Sequence, residues 1–312
     1  MKADWSEPAS QREIRAAALL VLTMLCYAGN HVIGRAVHGE LPPVGLSFWR
    51  WVVGALILLP FAAPGLRAAL PRYRQRWRSF ALLGCLVTGS TTLVLVGLNF
   101  TSATNTSLIN AVQPTLTALL CWLFLRERLH TVQWLGIALA FGGVAQMIVR
   151  GQWQLLASLT FSSGDLIVLL AMLGFATYAI NIRRIPRDLK GPQSLFVIIL
   201  FGLVPLLPFY ALEGAVYRPV PFSAQTVVAV IALALLVSVL GMLMWTRGNQ
   251  LIGPNRAAVY MNLLPLFGAM LAVFFLGENI AFYHVVGGVM IVGGMWLVLR
   301  FGGALPQTLP RT

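Results

Sequence analysis

The chain has 312 residues, of which 58% are hydrophobic and 10% are charged, whereas soluble domains carry about a quarter charged residues. Its 22 Lys and Arg and nine Asp and Glu side chains are too few to cover a water-soluble domain of this size. The mean hydropathy of +0.82 therefore places most of the chain in lipid. The net charge of +13 indicates no nucleic-acid partner, because basic residues accumulate beside the spans of multispan proteins.

Charged residues mark the ends of the apolar segments, because ionisable side chains are costly in the hydrocarbon region. A spanning helix needs about 20 apolar residues, and the sequence predicts ten of them. Their limits are 15–36, 44–65, 77–98, 104–125, 130–149, 164–183, 192–212, 224–246, 254–277 and 280–300. The uncharged stretch from Ser79 to Leu125 is divided by the polar turn Asn99–Asn105. The predicted fold class is an all-α integral membrane protein with ten transmembrane helices.

The loop charges predict the orientation of the chain. With the N-terminus in the cytoplasm, the cytoplasmic segments hold 18 Lys and Arg, whereas the outer loops hold only Arg35, Arg150 and Arg218. Because Lys and Arg are retained on the cytoplasmic side, we predict a multi-pass protein of the plasma (inner) membrane with both termini cytoplasmic.

An internal repeat with a shift of 151 residues relates the two halves of the chain. The aligned pairs are Tyr27 and Tyr178, Asn30 and Asn181, Pro114 and Pro265, Glu127 and Glu278, Gly136 and Gly287, and Gly142-Gly143 and Gly293-Gly294. Five spans per half force the second half to enter the membrane inverted, as in alternating-access transporters. We predict a cytoplasmic N-tail over 1–14, a first repeat over 15–150, an inverted second repeat over 164–300 and a cytoplasmic C-tail over 301–312.

Mid-depth polar and aromatic residues predict a binding site near the axis between the halves. They are Tyr27, Asn30, His31, Ser90, Thr91, Asn110, Gln113, Tyr178, Asn181, Trp245, Tyr260 and Asn262. This set carries no fixed charge and favours a zwitterionic or neutral solute. Arg50 is the one base that approaches this depth, and a side chain of its length can snorkel outward. Pro114 and Pro265 are predicted hinges, because each leaves the carbonyl four residues earlier unpaired.

Several segments are similar to the EamA family of the drug/metabolite transporter (DMT) superfamily. They are Tyr27-Ala28-Gly29-Asn30, Arg35, Pro42, Arg50, Pro114, Leu125-Arg126-Glu127-Arg128-Leu129, Gly142-Gly143, Asn262-Leu263-Leu264-Pro265, Phe275-Leu276-Gly277-Glu278, Gly287 and Gly293-Gly294. Tyr27 stands where the family usually has Trp, and Arg126 stands where Gly is usual. The resemblance implies a ten-helix exporter of small metabolites, with amino-acid exporters of the YddG kind, threonine/homoserine exporters and drug exporters among its relatives.

We therefore predict a secondary transporter that exports aromatic or neutral amino acids, or similar metabolites, by alternating access around a central cavity. It is expected to have no enzymatic activity, cofactor or metal, and its partners are the solute and the lipid bilayer. The sequence lacks the Gly-x-x-x-x-Gly-Lys phosphate loop, so ATP-driven transport would need another subunit, and no ATPase subunit is evident. Mid-membrane carboxylates are also missing from the predicted spans, which favours a facilitator.

Two other functions stay open. A sugar-phosphate or nucleotide-sugar exchanger is a second activity known in the same superfamily. A lipid-linked transferase embedded in the membrane is the alternative of another class, but it needs a metal-binding carboxylate cluster or an acid/base pair.

Overall fold

The computed structural model describes residues 9–36, 41–127, 129–157, 160, 162–186, 189–221, 223–276 and 281–301. All regular structure in these ranges is helical. In chain order the helices are α1 Ala9–Ala36, α2 Pro43–Ala62, α3 Leu66–Gln75, α4 Trp77–Gly97, α5 Ala103–Asn110, α6 Gln113–Leu125, α7 Thr131–Ile148, α8 Gln154–Ala157, α9 Ser163–Asn181, α10 Gly191–Val216, α11 Ala224–Leu233, α12 Met242–Ile252, α13 Pro254–Ala258, α14 Leu263–Leu276 and α15 Phe282–Arg300. A π-helical segment, Ala234–Gly241, joins α11 to α12, and 3-10 turns form at Ile182–Arg184 and Val259–Asn262.

Eight helical stretches within the described ranges are long and apolar enough to cross a membrane. They are Pro43–Ala62, Trp77–Gly97, Thr104–Leu125, Thr131–Ile148, Ser163–Arg184, Gly191–Val216, Ala224–Ile252 and Phe282–Arg300. Large apolar side chains such as Leu56, Phe209 and Trp296 are exposed on their outer faces, where water would disfavour them and lipid does not. The protein is thus an all-α, multi-pass membrane protein.

The predicted fourth and ninth spans are interrupted at equivalent places. In the fourth, α5 ends at Asn110 and α6 begins at Gln113, one residue before Pro114. In the ninth, the 3-10 turn Val259–Asn262 separates α13 from α14 just before Pro265. Proline has no N–H to continue the helical hydrogen bonds, so both interruptions precede it.

Two helices lie outside the predicted spans, the four-residue α8 and the longer α3. The arginine-rich connection after α2 folds into α3, whose Tyr73 is buried against Phe80 of α4 with ring centroids 5.0 Å apart. The apolar contact holds α3 against the bundle, while Arg72 and Arg74 lie on its exposed part.

Helices that correspond under the shift of 151 residues make corresponding contacts. Helix α4 packs against α9, and the corresponding residues 228–248, within the stretch Ala224–Ile252, pack against α1. In the same way α6 packs against α9 and α14 packs against α1. The pairs α2 with α10 and α7 with α15 each join a helix to its own counterpart.

Glycine residues set the distance between α7 and α15. A Cβ on Gly136 would lie 2.7 Å from the carbonyl oxygen of Gly294, and one on Gly143 would lie 2.6 Å from that of Gly287. The two backbones approach closely at Gly136, Gly143, Gly287 and Gly294, since only glycine lets them come so near. Because 136 faces 294 and 143 faces 287, these two corresponding helices run antiparallel.

Candidate functional site

The two tyrosines that the repeat aligns converge on one face of α12. The Tyr27 hydroxyl donates to Sδ of Met242 at 3.1 Å, and the Tyr178 hydroxyl lies 3.5 Å from Oγ1 of Thr246. Met242 and Thr246 are four residues apart and therefore share a helix face. Two of the predicted site residues, one from each half, are thus placed side by side.

The ring of Tyr27 packs against the π-helical segment before α12. A Cβ on Gly241, the last residue of that segment, would lie 2.6 Å from Cε1 of Tyr27, so the ring needs glycine there. Oγ of Ser238, also in the segment, is buried and has no hydrogen-bond partner among the described residues. Wide π-helical turns occur frequently at functional sites.

Helix α2 brings Trp51 and Arg50 to the same region. The indole N–H of Trp51 donates to Oγ1 of Thr91 on α4 at 3.1 Å, which fixes the ring. Thr91, a predicted site residue, is thus a hydrogen-bond partner of Trp51. Arg50 is only 4% exposed, and its guanidinium carbon lies 5.4 Å from the centre of the Trp51 ring. Arg50 is close enough to Tyr27 for the two side chains to interact electrostatically. Snorkelling of Arg50 to the membrane surface, which the sequence allowed, does not occur.

Three predicted amides lie at the two helix interruptions. Oδ1 of Asn110, Nε2 of Gln113 and Oδ1 of Asn262 are buried and have no hydrogen-bond partner in the described part of the chain. Helix α6 contacts both α13 and the 3-10 turn Val259–Asn262, so the interruptions lie near each other. Buried polar atoms are rarely left unpaired, and within a bilayer such groups face protein or a water-filled cavity.

The other predicted residues fall into three groups. Ser90, Trp245 and Tyr260 are buried between helices, and Oγ of Ser90 fills the space beside Gly174 of α9. Asn181 donates to the carbonyl oxygen of Thr177 at 2.7 Å, within its own helix. The side chains of Asn30 and His31 lie outside the described residues.

At one end of the bundle, carboxylates of the first half bind cations and amides of the second. Oε1 of Glu127, just past α6, lies 2.7 Å from Nη1 of Arg183, and Oε2 accepts from Nδ2 of Asn255 at 3.1 Å. Oε1 of Glu13 lies 2.8 Å from Nη1 of Arg256. We call this the Glu127 end.

At the opposite end, carboxylates of the second half bind uncharged groups of the first. Glu213, near the end of α10, accepts from the backbone N–H groups of Val44 and Gly45 at 3.0 and 2.6 Å, where the helix dipole of α2 favours an anion. Asp165 accepts from the hydroxyl of Thr101 and from Nδ2 of Asn105. This is the Glu213 end. Every acidic residue in the described ranges therefore joins one half to the other.

Two apolar cavities lie elsewhere on the bundle. One of about 900 Å³ is bounded by α14 and α15, with Leu266, Val285, Gly288 and Val292 among its lining residues. The other, about 290 Å³, is bounded by α6 and α7. Thr115, Trp134, Ile137, Ala138 and Phe141, which line the smaller cavity, align by 151 residues with Leu266, Val285, Gly288, Val289 and Val292 of the larger one. None of the predicted site residues lines either cavity.

Sequence reasoning missed Met242, Thr246 and Gly241, and it left Arg50 outside the site. The charge of Arg50 within an apolar run was the available signal, because a cation at depth is costly unless it serves a purpose. Met242 and Thr246 carry no such signal, since a methionine or threonine in a membrane helix has no special pattern.

Comparison with known proteins places the chain among membrane transporters. An uncharacterized transporter of Bacillus subtilis, YyaM, is 29% identical over 263 residues, which cover 82% of this chain and 84% of that protein. A "probable terminal-alkyne amino-acid exporter" of Streptantibioticus cattleyicolor is 26% identical and covers 92% of this chain and 94% of its own. A "probable amino-acid metabolite efflux pump" of Escherichia coli is 26% identical, with 89% and 93% covered.

The fold has a solved counterpart. A crystal structure of a protein with 18% sequence identity superposes with a TM-score of 0.71 and covers 95% of this chain and 99% of that chain. The model of the EamA-like transporter family matches this sequence twice, over residues 14–149 and 162–300. The chain belongs to the EamA-like transporter family.

Proposed function

We propose that the protein is a secondary transporter that exports aromatic or neutral amino acids, or similar small metabolites, across the plasma (inner) membrane. Exporters and efflux pumps of amino acids or their metabolites among its relatives support this substrate class. The observation that carries the proposal is the set of amide atoms at Asn110, Gln113 and Asn262 that have no partner among the described residues. An amino or carboxylate group of a solute would find donors and acceptors there.

The proposed architecture is ten transmembrane helices in two inverted five-helix repeats, residues 15–150 and 164–300. Helix α1 and the segment α13–α14 are added to the eight apolar stretches named above. Three observations support the inversion: the family model matches each half, corresponding helices make corresponding contacts, and α7 lies antiparallel to α15. The loop charges support an orientation with both termini, and hence the Glu127 end, in the cytoplasm.

Transport is proposed to occur by rocking of one repeat against the other. The carboxylate contacts at the Glu127 end and the Glu213 end join the repeats, so opening either end requires its own pair of contacts to break. The interruptions before Pro114 and Pro265 act as hinges, because their freed backbone groups tolerate a change of angle. The described acids all lie at the two ends, which supports facilitated transport rather than coupling to a mid-membrane carboxylate.

The twelve predicted residues are proposed to surround the solute. The rings of Tyr27, Tyr178, Trp245 and Tyr260 are suited to contact an apolar side chain. Asn30, His31, Ser90, Thr91, Asn110, Gln113, Asn181 and Asn262 are suited to bind its polar groups.

Counterflow in proteoliposomes tests this function. Purified protein is reconstituted with an unlabelled aromatic amino acid inside, and entry of the labelled form is measured with and without a proton gradient. We expect saturable counterflow without the gradient. Neither a proton gradient nor a sodium gradient should drive uphill accumulation. Counterflow that sugar phosphates or nucleotide sugars inhibit, and amino acids do not, would instead establish the exchanger function.

A further inference from the structure

Arg50 is a buried cation with no carboxylate partner among the residues that the structure describes. Its side chain is 4% exposed, and neither Nε nor Nη2 has a hydrogen-bond partner in the ranges that the structure describes. It is the eighth residue of α2, about 10 Å along the axis from the first. The guanidinium–carboxylate pairs at Arg183 and Arg256 lie at the Glu127 end. A guanidinium held at depth without a counter-ion is strongly unfavourable, so its retention points to an anion supplied from outside the chain.

A second unpaired group lies on the same side of α2. Gly54 is one turn beyond Arg50 and shares its helix face. A Cβ on Gly54 would lie 3.4 Å from Cβ of Ser238 in the π-helical segment, and Oγ of Ser238 is buried without a partner among the described residues. A hydroxyl and a guanidinium, both with free donors, therefore border one region between α2 and the π-helical segment.

The charge occurs in one half only. The part of α10 that corresponds to the middle of α2, Phe196–Val204, is apolar throughout. The ring of Trp51, fixed by its bond to Thr91, covers one side of the guanidinium, and Tyr27 lies within electrostatic range. A solute with a single carboxylate would consequently bind in one orientation, with that group toward α2.

We propose that Arg50 and Ser238 form the subsite for the carboxylate of the transported solute, which makes the substrates α-amino acids rather than amines or amides. The guanidinium supplies charge-assisted hydrogen bonds through Nε and Nη2, and the serine hydroxyl donates a further bond. The inference rests on the proposed function, because it names the chemical group that the same transporter recognises.

The main experiment is competition against labelled phenylalanine counterflow by unlabelled phenylalanine and by phenylalaninamide. In the wild type we expect the amide to compete at least about tenfold more weakly than the acid, as loss of a charge-assisted bond to a buried group implies. In Arg50→Gln, competition by phenylalanine should weaken to the level of phenylalaninamide. Phenylalaninamide should compete as strongly as it does in the wild type. The ratio of acid potency to amide potency is taken within each variant. A lower yield of folded protein affects both potencies equally and therefore cancels.

Two further variants keep the test decisive where Arg50→Gln fails to fold. Ser238→Ala should weaken competition by phenylalanine about threefold and leave competition by phenylalaninamide unchanged. Ser47→Ala, which removes the buried bond to Thr92 one turn before Arg50, is the matched control and should keep the wild-type acid-to-amide ratio. Equal weakening of acid and amide in Arg50→Gln or Ser238→Ala, or a wild type that does not distinguish them, contradicts the carboxylate subsite.

A binding measurement separates this inference from the proposed function. Phenylacetate should raise the unfolding temperature of the detergent-purified wild type, phenylacetamide should not, and Arg50→Gln should lose the shift. That result without amino-acid counterflow would contradict amino-acid export and retain the anion subsite. Equal shifts by both probes, or an unchanged phenylacetate shift in Arg50→Gln, would overturn the subsite whatever the transport result.

Discussion

The two halves of the molecule share the elements that shape the bundle and differ in the elements that face the proposed solute. Both have a helix interruption before a proline and glycines in the helix that crosses its counterpart. Among the described residues, the first half alone has a buried arginine and the second half alone has a π-helical segment. The comparison teaches that the elements common to both halves shape the bundle, whereas the proposed recognition of an asymmetric solute uses elements that one half alone contributes.

The corresponding cavities show the same difference in packing. Trp134 and Phe141 of α7 occupy positions that Val285 and Val292 hold on α15. The larger rings leave about 290 Å³ beside α6, whereas the valines leave about 900 Å³ beside α14. Equivalent backbones therefore enclose different spaces because the side chains differ.

The largest expected effect comes from breaking the shared crossing of α7 and α15. Gly143→Ala should destabilise the protein by about 2 kcal/mol or more, as overpacking in a close-packed contact does, because the added carbon meets the Gly287 carbonyl. Gly142→Ala is the matched control, since its nearest neighbour is the end of the flexible Met290 side chain at 3.1 Å. Thermal unfolding in detergent measures both, and equal destabilisation would refute the crossing as described.

Next in size is the removal of a hinge from either half. Pro114→Ala and Pro265→Ala each restore a backbone donor and should lower the counterflow rate about tenfold, because a straighter helix resists the change between states. Pro208→Ala provides the control, as Pro208 lies exposed within the uninterrupted helix α10 and should leave the rate near that of the wild type. A strong effect at one proline only would show that the halves do not share the hinge.

A smaller effect is expected from weakening one end against the other. Glu127→Gln removes a partly exposed ion pair with Arg183, with side chains 20% and 23% exposed, and should cost about 1 kcal/mol of contact at that end. The population open at the Glu127 end should then rise about fivefold.

Maleimide labelling of the buried Cys121, in a protein whose Cys26 and Cys85 are replaced by Ala, reports that opening. Glu213→Gln weakens the opposite end and should not raise the labelling. Faster labelling in both variants would indicate general loosening instead of opening at one end.

The smallest effect is expected at the tyrosine hydroxyls. Tyr27→Phe loses a bond to a thioether sulfur, and Tyr178→Phe loses a contact of 3.5 Å to Thr246, both weak hydrogen bonds. Counterflow should stay within about twofold of the wild type in each, because the rings remain. A tenfold loss in either variant would show that its hydroxyl binds the solute directly.

Much of the frame was predictable from residue patterns. Charges at span ends, the polar turn between α4 and α5, and the prolines in the first turns of α6 and α14 act locally, so their positions follow from the chain itself. The aligned glycines marked α7 and α15 as related helices, but the contact of Gly143 with Gly287 came only from the structure. Helix α3 was missed, since an arginine-rich connection has no apolar run to mark it.

The candidate site was predictable in composition and not in arrangement. Tyr27, Tyr178 and Thr91 were identified by polarity at depth, but their partners Met242, Thr246 and Trp51 come from distant segments. The exposed or buried state of Arg50 depends on which helices surround α2, which no local pattern specifies.

The sequence by itself determined that the chain lies in a membrane, where most helices begin and end, and that its halves are related, because lipid admits few backbone structures and excludes charge. Tertiary structure alone decided which residues meet: the four described carboxylates bridging the halves, the tyrosines on α12, and Arg50 enclosed beside Trp51. The carboxylate and tyrosine contacts join residues tens to hundreds of positions apart, and the burial of Arg50 depends on the helices around α2. Their geometry therefore depends on the packing of whole helices rather than on the preferences of any one segment.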